Sequence, residues 1–211
     1  MKTNVYIDGF NLFYGCLKGT RDKWLDLGAF CQASLPSDTI NHIRYFTALV
    51  KSNSSDLNRT NRQQVYLRAL TTIPNLSIHH GQFLKSVKRG RLIDPKISGV
   101  GLVRVETWEE KGSDVNIATH LLADGFRGDY EQAVVISNDS DSVEPIVLVQ
   151  RELNLAVGVL SPHGPFGKPS YHLQKVSSSY NLVDRSLFAS CQLPPIVIDA
   201  QGRAITKPPE W

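Results

Sequence analysis

The most constraining feature of this chain is an almost wholly apolar segment, Ala133–Ile136, that runs into the polar sequence Ser137-Asn138-Asp139-Ser140-Asp141. A strand that is apolar at every position is typical of the centre of a parallel sheet, where helices cover both faces. The segment Asn4–Ile7 has a similar character and ends at Asp8. Because parallel strands present their carboxyl ends at one edge of the sheet, we expect these acids to share a cleft.

Segments with strand and helix patterns alternate along the rest of the chain. Amphipathic spacing predicts helices over 26–33, 62–73, 114–126 and 142–153, and alternating residues predict strands over 43–50, 76–80, 102–107 and 156–160. A chain of 211 residues with 41% hydrophobic residues can bury one sizeable core. The pattern predicts an α/β, Rossmann-like fold with a central, mostly parallel sheet flanked by helices on both faces.

Several segments are less regular, and their expected roles are more specific. Gly9 is expected to allow a tight turn, and Ser37 to cap a short helix. Residues 85–101, rich in Lys, Arg and Gly, are expected to be irregular. We divide the chain into a domain over residues 1–185 and a Pro-rich, irregular arm over 186–211 that packs on or near it.

Composition excludes several classes of protein. The 23 Lys and Arg against 20 Asp and Glu give a net charge of +3, too small by itself to indicate a nucleic-acid binder. The three cysteines form no CxxC pair, which argues against a zinc ribbon and favours reduced thiols. No run approaches the roughly 18 to 20 apolar residues of a membrane span. We therefore expect a cytoplasmic protein with no membrane partner.

A third acid belongs with the two at the strand ends. Asp114 opens a helical pattern directly after Glu110-Lys111-Gly112-Ser113. Carboxylates that converge repel one another unless a divalent cation lies between them, and carboxylate oxygens suit Mg²⁺ or Mn²⁺. We predict Asp8, Asp114 and Asp139 as metal ligands and Asp141 as a further catalytic acid. A structural alternative is that Ser140, Asp141 or Asp114 caps the helix beside it.

Three segments carry a family resemblance: Tyr6–Tyr14, Glu110–Ala118 and Val135–Asp141. In order and spacing they resemble the NYN domains, a branch of the PIN-like nucleases that includes the LabA-like proteins. The resemblance implies a PIN fold and an Mg²⁺- or Mn²⁺-dependent ribonuclease whose acids correspond to the four aspartates named above. One departure is His120, which stands where many LabA-like sequences have another acid; Asp124 follows one turn later.

Other residues are predicted to bind substrate or to support the acids. Asn11 is expected to orient Asp8 or touch the substrate, and a basic cluster to hold the RNA backbone by counterion release. The full set is Asn11, Ser137, Asn138, Glu110, Lys111, Lys88, Arg89 and Arg91, with Lys85 and Lys96 also in the basic cluster. Aromatic residues Phe10, Phe13, Tyr14, Phe83 and Trp108 are available for stacking, although most are expected in the core.

The sequence leaves three functions open. The first is a metal-dependent endoribonuclease, with RNA as its partner and a homodimer among the assemblies considered. The second is a catalytically weak NYN module that binds RNA or forms a complex, an alternative motivated by His120. The third is a small-molecule phosphohydrolase that uses the same metal chemistry.

Overall fold

The computed structural model describes residues 1–52, 56–91, 102–163 and 167–211, with Arg91 described by its backbone alone. The strands and helices follow in chain order: β1 (Lys2–Asp8), α1 (Gly9–Leu12), α2 (Leu27–Ser34), β2 (Thr39–Thr47), α3 (Arg59–Leu70), β3 (Leu76–His80), β4 (Gln82–Arg91), β5 (Leu102–Lys111), α4 (Ser113–Phe126), β6 (Gln132–Ile136), α5 (Val143–Leu153), β7 (Ala156–Ser161), α6 (Tyr171–Val176), β8 (Ser179–Leu182), β9 (Ile196–Ile198) and β10 (Ala204–Thr206).

The central sheet confirms the predicted α/β architecture. Its six strands lie in the order β3-β2-β1-β6-β7-β8, and every pairing is parallel. The chain moves outward from β1 in one direction and then returns to β6 to continue in the other. The strand order therefore reverses between β1 and β6, which is where open α/β sheets bind ligands.

Alternating side chains of the central strands divide the core into two layers. Val5 and Ile7 of β1 face a layer built with α2, α3 and the C-terminal segment, whereas Tyr6 faces a layer built with α4, α5 and α6. Strand β6 divides in the same way, with Val134 on the first side and Val135 on the second. Because successive side chains of a strand point to opposite faces, both faces of the sheet are buried, as the apolar pattern predicted.

Part of the segment expected to be irregular, residues 85–91, belongs to strand β4 instead, and the strand predicted over 102–107 is confirmed within β5. Strands β4 and β5 pair in antiparallel register from Gln82 opposite Lys111 to Arg91 opposite Leu102. The prediction failed because Lys and Gly are unfavourable in strands on average, while cross-strand pairs decide the outcome locally. Lys96 and the rest of the predicted irregular segment from 92 to 101 lie outside the described residues.

Two local predictions were also wrong. Ser37 caps no helix, because the chain bends there and enters β2 at Thr39. Gly9 is the first residue of α1 rather than part of a separate turn, and a Cβ there would approach the Phe46 carbonyl oxygen and the Tyr45 ring to 2.7 Å. Glycine is needed at this position because the helix crosses β2 closely.

The C-terminal segment is more ordered than its Pro-rich composition predicted. Strands β9 and β10 pair as a short antiparallel hairpin, and Ile205 is buried. The Trp24 Nε1 atom donates to the Pro194 carbonyl at 2.8 Å, and the Trp211 ring packs on Tyr66. The segment thus completes one core layer. Among the described residues no helix has the length and apolar character needed to cross a bilayer.

Candidate metal centre

The acidic residues converge at the point where strand order reverses. A cavity of about 270 Å³ lies there, and its wall includes Asp8, Asp114, Asp139 and Glu110. Carboxylate oxygens of Asp114, Asp139 and Asp141 lie within 4.8 Å of one another. That spacing lets three carboxylates contact one divalent cation.

Asp114 reaches the cavity from the first turn of α4. Gly112, with φ of 101°, turns the chain from β5 into this helix and stands at the N-cap position. The predicted alternative that Asp114 caps the helix is therefore wrong, and its side chain is left available to the cavity. Partial burial and, next, the charge of Asp139 raise the pKa of Asp114 to about 6. The charges of Asp8, Glu110 and Asp141 raise this pKa further, as expected where several carboxylates face one cavity.

Asp139 supplies the cap that was expected from Ser140 or Asp141. It precedes a short 3₁₀ turn, Ser140–Ser142, and its Oδ1 atom accepts from the Asp141 amide at 3.1 Å. The structural alternative for Asp141 is thus wrong for this turn, while Ser142 at the start of α5 makes no side-chain cap bond. Asp141 is exposed and contributes its carboxylate to the group of three.

Asp8 is buried and held in place by hydrogen bonds. Its Oδ1 accepts from the Asn11 amide at 2.9 Å, and its Oδ2 accepts from Asn11 Nδ2 at 2.6 Å and from Ser137 Oγ at 3.3 Å. Burial is the main reason that the pKa of Asp8 is raised. The predicted orienting contact from Asn11 is present. Oδ2 already accepts two hydrogen bonds, whereas Oδ1 accepts one and keeps lone-pair capacity for a further ligand.

Asn138 points away from the acids. Its Oδ1 accepts from Ser161 Oγ, the Ser170 amide and Tyr180 OH at 2.9, 2.8 and 3.3 Å, while its Nδ2 donates to the Lys168 carbonyl. Its backbone amide donates to Asn11 Oδ1 at 3.2 Å. These contacts make Asn138 an anchor that fixes the polar turn after β6 to β7 and β8.

Glu110 lines the same cavity and fixes the start of α4. Its Oε1 atom accepts from the Ser113 amide at 3.2 Å and from Ser113 Oγ at 2.9 Å. The side chains of Phe83 and Glu110 face each other across the hairpin. The hairpin face that carries Phe83 therefore continues outward from the acidic cavity.

Cross-strand register separates the predicted basic residues. Lys85, opposite Trp108, and Arg89, opposite Arg104, share the face of Phe83, because directly paired side chains lie on one side of a sheet. Lys88 and Lys111 lie on the other face, where both form ion pairs with Glu109. The side chain of Arg91, also predicted to bind RNA, lies outside the described part of the chain.

The aromatic residues are less buried than expected. Tyr14 and Trp108 are 50% and 43% exposed, and Phe10, Phe13 and Phe83 are partly buried. Phe10 packs edge-on against Phe83, with ring centroids 5.6 Å apart. The expectation that most of these rings lie in the core was wrong. Phe10, Tyr14 and Phe83 line the acidic cavity, whereas Phe13 packs against the core.

His120 and Asp124 lie outside this cavity. His120 packs on His79, with ring centroids 4.0 Å apart. Asp124 accepts from Tyr6 OH at 2.8 Å and from Arg44 Nε and Nη2 at 2.6 and 2.8 Å. Asp124 therefore belongs to a buried ion pair beneath α4 and does not replace the acid absent at position 120. Sequence spacing offered no signal for this partnership, because Arg44 lies 80 residues away.

The parallel sheet, its order reversal and the acids at that point define an α/β protein of the PIN-like type. The NYN domain family matches residues 2–182, and the chain belongs to that family.

Two similar proteins place the chain among its relatives. The 6-hydroxy-3-succinoylpyridine 3-monooxygenase HspA of Pseudomonas putida (strain DSM 28022 / S16) is 29% identical across all of this chain and 75% of its own length. A protein of unknown function from Vibrio parahaemolyticus RIMD 2210633 has a TM-score of 0.55 at 14% identity, over 87% of this chain and 93% of that one. The second likeness shows the fold alone.

Proposed function

We propose that this protein is a metal-dependent ribonuclease that hydrolyses RNA phosphodiester bonds, cutting within the strand. The observation that carries the proposal is the group of Asp114, Asp139 and Asp141, whose carboxylate oxygens lie within 4.8 Å at the sheet's reversal point. Membership of the NYN family, a branch of the PIN-like nucleases, supports it.

The donor set fits Mg²⁺ or Mn²⁺. All three side chains offer hard oxygen ligands. Burial and, next, the charges of neighbouring carboxylates raise the pKa of Asp114 to about 6, and a bound cation would offset the repulsion among these charges. When bound, the ion would polarise the phosphoryl oxygen and promote ionisation of a water molecule. We propose Asp114, Asp139 and Asp141 as its holders.

Asp8 is proposed as the fourth carboxylate of the centre, in line with its predicted role as a ligand. Its charge contributes to the raised pKa of Asp114, so the two groups are close enough to interact. Hydrogen bonds from Asn11 and Ser137 fix the orientation of the Asp8 carboxylate. Such fixed carboxylates need little rearrangement when a cation or water molecule binds.

The hairpin face beside the cavity provides a surface for a single strand. It carries Phe83, Trp108 and Lys85, whose Nζ atom forms an ion pair with Glu106 at 2.7 Å. The Lys51 Nζ atom lies 4.2 Å from the centre of the Trp108 ring. Unstacked bases bind to exposed rings, and cations attract the backbone. We therefore propose RNA as the partner, with Arg89 as a further cation on this face. Lys88 lies on the opposite face, where it pairs with Glu109.

The test compares cleavage of labelled single-stranded RNA and of tRNA in Mg²⁺, Mn²⁺ and EDTA. We expect metal-dependent products and a loss of about a hundredfold or more in Asp139→Asn. Asparagine keeps the oxygen that accepts from the Asp141 amide, so the turn is preserved. Asp22→Asn, outside both the acidic cavity and the hairpin, is the matched control. Equal cleavage by all variants, with or without metal, refutes the proposal.

The alternative of a catalytically weak NYN module has its own signature. RNA binding that survives EDTA, with no cleavage in either metal, would favour it. Titration calorimetry with Mn²⁺ distinguishes these two functions further. The nuclease must bind Mn²⁺, and Asp139→Asn should abolish that binding. The predicted homodimer and cytoplasmic location stay predictions.

A second candidate function comes from the Pseudomonas relative, which is named as an oxygenase of a pyridine compound. Similarity across the whole chain is the observation that favours it. The check is dioxygen uptake with 6-hydroxy-3-succinoylpyridine and a two-electron donor, on the preparation used for RNA cleavage. Substrate-dependent uptake without RNA cleavage would replace the nuclease proposal.

A further inference from the structure

A second, larger cavity adjoins the acidic one. It measures about 390 Å³, within the range of about 300 to 1,000 Å³ typical of small-molecule sites. The segment after β1 separates the two cavities, and Phe10 and Tyr14 line both. These residues are one helical turn apart and so share a face. Gly9 lines the larger cavity, while its neighbour Asp8 lines the acidic one.

The walls of the larger cavity are aromatic. Six rings line it, from Phe10, Phe13, Tyr14, Tyr45, Tyr66 and Trp211. The chain from Phe13 to Leu17 is a π-helix, a form that is rare and frequent at functional sites. Phe13, which is partly buried, and Tyr14, which is exposed, both belong to this helix and line the cavity. Exposed rings of this kind accept planar ligands by stacking.

The rim of the cavity is cationic. Lys18, Lys23, Arg59 and Arg62 contribute to it, and Arg62 forms ion pairs with Asp56 and Glu210. The other three cations have no acidic partner among the ion pairs of the described residues. Arg59 Nη2 instead donates to Tyr14 OH at 2.9 Å, which sets a guanidinium beside an exposed ring.

We propose that this cavity binds one nucleotide of the RNA strand, with its base on Tyr14 or Phe13 and its phosphate at Arg59 and Lys18. The inference rests on the proposed ribonuclease function, since the neighbouring phosphodiester would then lie at the acidic cavity across the Phe10 and Tyr14 wall. Arg59 and Lys18 both contact the Tyr14 side chain, the latter with Nζ 5.1 Å from the ring centre, and neither has an acidic partner among the ion pairs of the described residues. A ring with cations beside it matches a base and its phosphate. A cationic cavity next to an acidic one that holds a metal ion, as proposed above, would offset the charge of each of two successive phosphates.

The experiment is calorimetric titration of the full chain with AMP and UMP in EDTA, so that the acidic centre holds no metal. We expect both nucleotides to bind, with adenosine and inorganic phosphate each weaker by about tenfold or more. Arg59→Gln should weaken AMP binding about tenfold. Arg68→Gln, on the same helix but paired with Asp199 and outside the cavity, should leave it unchanged.

Other outcomes would overturn the inference. Nucleotide binding that requires Mg²⁺ or is lost in Asp139→Asn would place the ligand at the acidic cavity. Binding of 6-hydroxy-3-succinoylpyridine without binding of nucleotides would assign the cavity to a small aromatic acid. Lys18→Gln repeats the test if Arg59→Gln unfolds. Nucleotide binding at Arg59 in a protein that cleaves no RNA would support this inference while refuting the nuclease.

Discussion

Replacement of Asp124 by asparagine tests the ion pair that fixes α4 over the sheet. The Asp124 side chain is 2% exposed and that of Arg44 is 14% exposed, with Nε to Oδ2 at 2.6 Å. Asparagine keeps one oxygen for Tyr6 OH, but it leaves the Arg44 guanidinium largely buried without a counter-charge. Removal of one partner of a buried pair typically costs about 3 to 5 kcal/mol.

For a domain of this size, about 3 to 5 kcal/mol corresponds to a fall in Tm of roughly 6 to 20 °C. Urea unfolding followed by circular dichroism measures the free-energy change, and differential scanning fluorimetry measures Tm. The double variant Arg44→Met, Asp124→Leu should recover much of the loss, because it leaves no buried charge. A loss below about 1 kcal/mol in Asp124→Asn, the range of exposed pairs, would refute this reasoning.

Three further predictions concern the sheet and the site. Gly9→Ala should lower stability by about 1 to 3 kcal/mol in urea unfolding, since its Cβ would lie 2.7 Å from the Tyr45 ring. Burial, then His120, lowers the pKa of His79 to about 4, below its unfolded value of about 6.5. The neutral ring is therefore favoured by folding, and stability that is present above pH 6.5 falls as pH drops toward 4. After a discount for partial exposure, the free energy of unfolding falls by roughly 1 kcal/mol over this pH range. Urea unfolding at a series of pH values measures the fall, which His79→Gln should not show. Asn138→Ala should reduce RNA cleavage several-fold and raise hydrogen exchange in the turn after β6, because its anchors to β7 and β8 are lost.

Local sequence determined the elements with strong periodicity. The apolar run at Ala133–Ile136 required burial on both faces, and strand β6 is central for that reason. Strand β3 begins and ends at the predicted residues, Leu76 and His80, because a turn precedes it and short-range alternation defines it. The acids at the ends of β1 and β6 follow from the same logic, since parallel neighbours must end at one edge.

Contacts between distant segments decided what the sequence left open. Whether Lys88 or Lys85 shares the hairpin face of Phe83, which lines the acidic cavity, depends on hairpin register, because a shift of one residue exchanges the two faces. The partner of Asp124 depends on where β2 lies beneath α4. Trp211 lines the larger cavity only because the C-terminal segment packs back on Trp24 and Tyr66. The chemistry of each side chain and the local alternation of apolar and polar residues can be read from the sequence. The neighbours of each side chain are determined only when the strands pair in the tertiary structure.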